Sequence, residues 1–414
     1  MKKPIKQQWS KGLRFLIAFF LAFFFIFPMN AFPDADRLKN FPAQVEIDDI
    51  IHVPTGQKIP VSALSHFFDC ASVFYVGETH ANKASHQAQL KILTAHYERF
   101  GSNLAIGMEM FTRPYQPFLD QWIAGEIDED KFLEATRWYG EWGYNYALYK
   151  DILDFAREKK IPVIALNASK DVVTMVRTKG LKDLSEDEKK LLPEIDTSDY
   201  FHGVYLEKVL PGHTKGLADR ERFHTIQCLW EEYMAQTITD YLSSWEGKGR
   251  KFLAFVGNGH IVYDFGIPKR VFRRTFLPYC TIYTTEFKGG KPSAEQHPFL
   301  PEIPLEPADF VWSITPYEPE PEKKRIYLGV QFQKRDDNKL VIEKITPKSP
   351  AQKAGFMDGD ILLSIDNRAL KNIMELIHYL QTKQFGDICI AEIDRDGTKI
   401  TYPVTLFEFE REEK

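Results

Sequence analysis

The chain has 414 residues, 44% of them hydrophobic and 27% charged, with a formal net charge of −5. That length admits two or three domains with a sizeable core. The even mixing of acids and bases excludes an electrostatic nucleic-acid footprint.

Residues 1–33 read as a signal peptide or an N-terminal membrane anchor. Lys2, Lys3, Lys6, Lys11 and Arg14 precede an uninterrupted apolar run from Phe15 to Phe27, which Pro28 ends. The run falls short of the ~20 residues a spanning helix needs and suits a signal-peptide core. Export to a bacterial periplasm or cell envelope is the expectation. The four cysteines, Cys70, Cys228, Cys280 and Cys389, match no zinc or haem-attachment spacing. They read as small buried thiols, with a Cys70–Cys280 bridge as the alternative in an oxidising compartment.

Residues 34–287 read as an α/β domain, a mainly parallel sheet flanked by helices. After a connecting segment with a short strand or two, apolar strand runs alternate with helical periodicity. Strands are predicted at 73–76, 104–108, 162–166, 252–256 and 281–287. Helices are predicted at 83–100, 114–124, 128–138, 147–159 and 218–245. Lys83–Phe100 shows Leu90, Leu93 and Tyr97 on one face. Ser185-x-x-Glu188 is a capping box opening a short helix. Alternation of this kind implies βα units. Residues 288–324 carry eight prolines from Pro292 to Pro321 and read as a semi-stiff linker without a packed element.

Two copies of Gly-x-x-His follow apolar strand runs: Gly77-Glu78-Thr79-His80 and Gly257-Asn258-Gly259-His260. Open α/β sheets build their sites at the carboxyl ends of strands. Glu109 ends the next predicted strand. Glu78, His80, Glu109 and His260 are therefore expected to converge on one rim. Two imidazoles and two carboxylates suit Mn, Zn or Fe, and the same set can do general acid–base work without a metal. His86, His213 and His224 are further candidates, with His224, Gln227 and Glu231 on one helical face. His202 reads as incidental.

These motifs, with Met108-Glu109-Met110-Phe111, Trp138…Trp142-Gly143-Tyr144, Leu166-Asn167 and Gln227…Trp230-Glu231…Met234-Ala235, resemble the ChaN family. That family sits in the superfamily of Tiki proteases, TraB-like proteins and erythromycin esterases. Glu231 stands where the family motif leads one to expect Asp. The resemblance covers about 70–285 and implies one of two activities. The first is haem or iron binding, for which Trp138, Trp142, Tyr144 and Tyr146, with Tyr139 and Tyr149, offer aromatic area. The second is metal-dependent hydrolysis, of peptides or else of an ester, with Glu78 or Glu109 as general base and His80 and His260 as ligands or electrophilic partners. Residues 325–408, from Tyr327-Leu328-Gly329-Val330 through Ser349-Pro350-Ala351 to the Asp396-Gly397 turn, resemble a bacterial PDZ domain of the HtrA type. The resemblance implies that Leu328, Gly329 and Val330 line the loop that takes a peptide C-terminus. A scaffold without chemistry is the third reading.

Overall fold

A computed structural model describes residues 45–209, 217–287, 300, 303–318, 326–333, 339–370 and 373–409. The apolar run Phe15–Phe27 and His213 lie outside these residues. Among the described residues no helix is long and apolar enough to cross a membrane.

The larger domain runs β1 (Ile50–His52), β2 (Gln57–Ile59), α1 (Val61–Cys70), β3 (Val73–Glu78), α2 (Lys83–Phe100) and β4 (Leu104–Thr112). Then follow α3 (Gln116–Ala124), α4 (Glu129–Ala135), α5 (Trp138–Glu141), α6 (Lys150–Lys159), β5 (Val163–Asn167) and α7 (Lys170–Lys179). The last part holds α8 (Glu186–Lys189), α9 (Tyr200–Val209), α10 (Leu217–Ser243), β6 (Lys251–Gly257), α11 (Ile267–Thr275), β7 (Tyr279–Glu286) and β8 (Phe310–Ile314). The eight strands form one sheet in the order β2-β1-β8-β7-β3-β6-β4-β5. Pairing is parallel from β8 to β5, and β1 runs antiparallel to both its neighbours. Every residue of β3 and β4 is buried. Helices cover both faces of the sheet, so these strands read as continuous apolar runs and not as alternation.

The chain leaves β3 to one side for β4 and β5, returns to place β6 between β3 and β4, then crosses to β7 on the other side. The carboxyl ends of β3, β4 and β6 meet where that order reverses. Ser185 and Glu188 close the expected capping box, Ser185 N donating to Glu188 Oε2 at 2.9 Å.

Two expectations need correction. The Pro-rich segment holds a packed element after all: β8 is buried throughout and pairs with β7 and β1. Its Phe310-Val311-Trp312 run lies between prolines, which set the strand's ends without entering its ladder. The cysteines are all free, and Cys70 is exposed while the other three are buried. A Cys70–Cys280 bridge is therefore absent.

The second domain is antiparallel. It contains β9 (Val330–Phe332), β10 (Leu340–Ile345), α12 (Pro350–Ala354), β11 (Ile361–Ile365), β12 (Arg368–Ala369), α13 (Ile373–Gln381), β13 (Ile388–Arg395) and β14 (Thr398–Thr405). Its sheet runs β14-β13-β11-β10-β9, with β12 beside β11, and it has its own apolar core around Ile342, Ile365, Cys389 and Ile393. Arg395 holds the buried Asp360 carboxylate at 2.7 and 2.8 Å.

One half-buried acid opposes the fold at neutral pH. Asp264 lies after β6 in a left-handed conformation (φ 62°), and its Oδ1 is buried without a hydrogen-bond partner. Burial, then the nearby Asp309, push its carboxyl up from 3.8 to about 6. A raised carboxyl pKa means that the folded form keeps a proton the unfolded chain releases. That contribution is complete below pH 3.8 and is lost as pH rises to about 6. Asp264→Asn removes the charge and tolerates the left-handed backbone. It is expected to raise stability by up to about 3 kcal/mol above pH 6, with the gain vanishing below about pH 4. Thermal melts of both proteins across that range check this, and a pH-independent difference would refute it.

Candidate functional site

The two Gly-x-x-His segments are complementary halves of one rim. The parallel register of β3 and β6 sets Gly77 beside Val256 and Glu78 beside Gly257. A Cβ on Gly77 would stand 2.1 Å from Asn258 Oδ1, and one on Gly257 would stand 2.9 Å from His80 Cε1. The first glycine of each motif thus makes room for a side chain of the other. Asn258 is locked in that space, donating to Thr284 O at 2.7 Å and accepting from Thr284 N at 3.2 Å.

Glu78 is buried at the end of β3, and its carboxylate is fully engaged. Oε1 takes His80 Nδ1 at 2.8 Å and the Tyr149 hydroxyl at 2.9 Å; Oε2 takes Gln89 Nε2 at 2.9 Å, with His86 Nδ1 at 3.3 Å. Glu109 lies where the β4–β6 pairing ends at Met108. There its Oε2 replaces a ladder acceptor for Gly257 N at 2.6 Å, and Oε1 lies 3.3 Å from His260 Nε2. A Cβ on Gly257 would stand 3.2 Å from His80 Nε2 and 3.6 Å from Glu109 Oε2, so His80 and Glu109 meet over one glycine. The four expected residues are together.

The charges are mutually arranged. Burial alone would raise the Glu78 carboxyl, but His86 and His80 outweigh it and lower it to about 2. Burial would lower the His260 imidazole, but Glu109 and Glu231 lift it to about 10. Burial likewise opposes the charged form of His80, and its hydrogen bond to Glu78 reverses that and raises its pKa. Two carboxylates facing two imidazoles, both with raised pKa, form a site where a cation can replace protons.

The aromatic residues divide. Trp138 and Tyr146 are core residues, 1% and 3% exposed, and so present no face to a ligand. Trp142 and Tyr144 sit at the rim, their ring centroids 4.8 and 5.3 Å from that of His80. The His80 side chain is 29% exposed, making it the point where the buried network reaches solvent.

Several further residues support the four from behind. Glu231 on α10 is fully buried; its Oε1 lies 3.4 Å from His260 Nδ1, and Gln227 Nε2 lies 3.0 Å from the same nitrogen. Arg270 on α11 donates to Glu231 Oε2 from Nε at 3.3 Å and Nη2 at 3.2 Å. The spacing of His224, Gln227 and Glu231 pointed to this helical face. Nothing in the sequence pointed to Arg270 or Gln89, and Tyr149, read there only as aromatic area, serves Glu78 through its hydroxyl.

In the smaller domain Leu328 is buried, and Gly329 has φ +79° with a Cβ position 2.2 Å from Ser349 Cβ, so both conformation and space require glycine. Val330 opens β9, the end strand of its sheet.

The family profile described as "Haem-binding uptake, Tiki superfamily, ChaN" matches residues 68–271, and the PDZ domain profile matches 326–406. A solved structure of ChaN of Campylobacter jejuni, described as showing cofacial heme binding, aligns with 64% of this chain and 95% of its own at 17% identity and a TM-score of 0.49. A probable periplasmic serine endoprotease DegP-like protein of Marinomonas sp. (strain MWYL1) is 33% identical over 69 residues, 17% of this chain. The serine endoprotease DegS of Salmonella typhimurium (strain 14028s / SGSC 2262) is 26% identical over 70 residues, also 17% of this chain. The chain spans 15% and 20% of the length of these two curated relatives. The α/β domain is thus a ChaN-type member of the Tiki superfamily, a haem-binding family, and the C-terminal domain is a PDZ domain.

Proposed function

We propose that the α/β domain binds haem at the rim, with His80 as the iron ligand and Trp142 and Tyr144 against the porphyrin, and that the exported chain handles haem iron at the cell envelope. The observation carrying this reading is the state of His80. Its Nδ1 is fixed by a buried carboxylate, which sets the tautomer and raises ligand basicity, while its Nε2 edge reaches the partly exposed rim between two aromatic rings. A porphyrin needs that pairing of one axial donor with a flat apolar face. Bound haem would supply a redox-active iron. The chain would supply orientation through Glu78 and Tyr149, and a charged wall through Glu109 and His260. The PDZ domain is read as the partner module. β9 ends its sheet, so a peptide chain end can add there as a further strand, its carboxylate held by the loop at Leu328, Gly329 and Val330.

Titrating the purified protein with haemin is expected to shift the Soret band at one equivalent. His80→Ala should weaken binding at least about tenfold and alter the band. Trp142→Ala should weaken binding without altering the ligation spectrum. An unshifted Soret band in the parent protein, or an identical titration by His80→Ala, refutes the haem reading. If the untreated protein instead holds one Mn, Zn or Fe that His80→Ala loses, the converging Glu78, His80, Glu109 and His260 favour a metal-dependent hydrolase.

A further inference from the structure

We infer that His202, His224 and Cys228 form a second metal site, suited to a zinc-class ion that accepts thiolate. Its donors are not those of the rim, although Glu231 Oε1 lies 3.4 Å from both His202 Nε2 and the rim's His260 Nδ1, and it does not rest on the haem reading.

His224 and Cys228 are four residues apart on α10, so one turn stacks them on the same face. His202 comes from α9 across the way. The three donor atoms lie within 4.8 Å of one another. His202 Nδ1 is 3.9 Å from Cys228 Sγ, and the two imidazoles meet edge to face with centroids 5.2 Å apart. Zinc bonds of about 2.0–2.3 Å require donors roughly 3.3–3.8 Å apart, a contraction within reach of side-chain rotation.

Two further observations point to a ligand here. First, the Nε2 atoms of both histidines are buried without a hydrogen-bond partner. His202 is fully buried, and its Nε2 lies 3.4 Å from Glu231 Oε1 without hydrogen-bonding geometry. A buried imidazole left this way costs free energy unless something completes it. Metal on Nδ1 would do so, since Nε2–H could then turn to Glu231, giving the carboxylate–histidine–metal arrangement that orients most histidine ligands. Second, a cavity of about 400 Å³ lies between α9 and α10, lined by Asp199, Gly203, Glu207, Arg220, Phe223 and His224. It reaches the cluster at His224 alone, since neither His202 nor Cys228 lines it.

The donor set decides the class of ion. Two imidazoles and a thiolate exclude Mg²⁺ and Ca²⁺, which take oxygen ligands, and fit zinc-class ions. On binding, the Cys228 S–H bond breaks, sulfur donates its electron pair to the metal, and the proton leaves to solvent. Arg270 Nη2, 3.4 Å from Cys228 Sγ, supports the thiolate from the far side.

Co²⁺ is the probe, because thiolate ligation gives an intense charge-transfer band. Work in a Cys70→Ser background removes the exposed thiol from the signal. One equivalent of Co²⁺ is expected to give that band and to be displaced by Zn²⁺. Cys228→Ser should abolish the band, and His224→Asn, at a half-buried position lining the cavity, should weaken binding at least about tenfold. His80→Ala should leave the band intact. Absence of the band in the parent, or an unchanged band and affinity in His224→Asn, overturns the site. The His224 arm keeps the test decisive if Cys228→Ser does not fold.

Discussion

Replacing Arg270 with methionine is expected to lower the unfolding free energy by about 3–5 kcal/mol. Arg270 is fully buried and is shared among Glu231, Glu232, the Asp196 carbonyl at 3.0 Å and Cys228 Sγ. Methionine fills a similar volume but donates nothing. Glu232 would keep Arg273 at 2.7 Å and Arg274 at 2.6 Å, whereas Glu231 would keep only Gln227 and the histidines at its other oxygen. The dominant cost is therefore a carboxylate oxygen held in the core without its guanidinium, the imidazoles reaching only the other oxygen, and not the loss of one ion pair. Urea unfolding should show a lower midpoint at unchanged slope. Adding Glu231→Gln to Arg270→Met should recover part of the loss by removing the stranded charge. A loss below about 1 kcal/mol, or a double variant no better than the single, would contradict this account. The rim should respond as well, because Glu231 is one of two carboxylates that hold His260 protonated.

The parts of the fold that were legible in the sequence are those where one physical requirement dominates. β3, β4 and β6 are buried on both faces, so their apolar runs stand out. Because parallel strands share a rim, residues that end them could be placed together without further knowledge. Helix α2 shows where that reasoning stops. Leu90, Leu93 and Tyr97 mark an apolar face, yet the buried residues include Ser85, His86 and Gln89 beside Ala88, Ile92 and Leu93. His86 and Gln89 turn inward because Glu78 needs donors, and Ser85 because Thr79 N and Thr284 need a partner; a periodicity of apolar residues cannot register those needs. β8 was hidden for a different reason, since the prolines around it imitate a linker. Arg270 lay beyond reach because its partners are brought in from α10, thirty-eight and thirty-nine positions away in the chain. His202 looked incidental for the same reason. Its neighbours His224 and Cys228 sit on another helix.

Trp138→Ala is expected to cost about 3–5 kcal/mol, the usual loss for emptying a large aromatic from a core. Its ring packs against Phe111, Tyr146 and Tyr149 with centroids 5.3, 5.5 and 5.2 Å away. The residue does more than fill space. Its indole Nε1 donates to Tyr144 O at 2.7 Å, fixing the backbone that carries a rim aromatic, and its ring backs Tyr149, whose hydroxyl donates to Glu78. Trp138→Phe separates the two roles. Phenylalanine keeps much of the packing and loses the N–H, leaving the Tyr144 carbonyl without that donor at a cost of about 1 kcal/mol. If Trp138 serves only the core, haemin affinity should follow stability, and Trp138→Phe should bind almost as the parent does. If it also sets the rim, Trp138→Phe should lose several-fold in haemin affinity while melting only a few degrees lower. Haemin titration beside thermal unfolding reads both quantities on the same variants. The second pattern is expected, because the hydrogen bond from Trp138 to the Tyr144 carbonyl is a link that phenylalanine cannot reproduce.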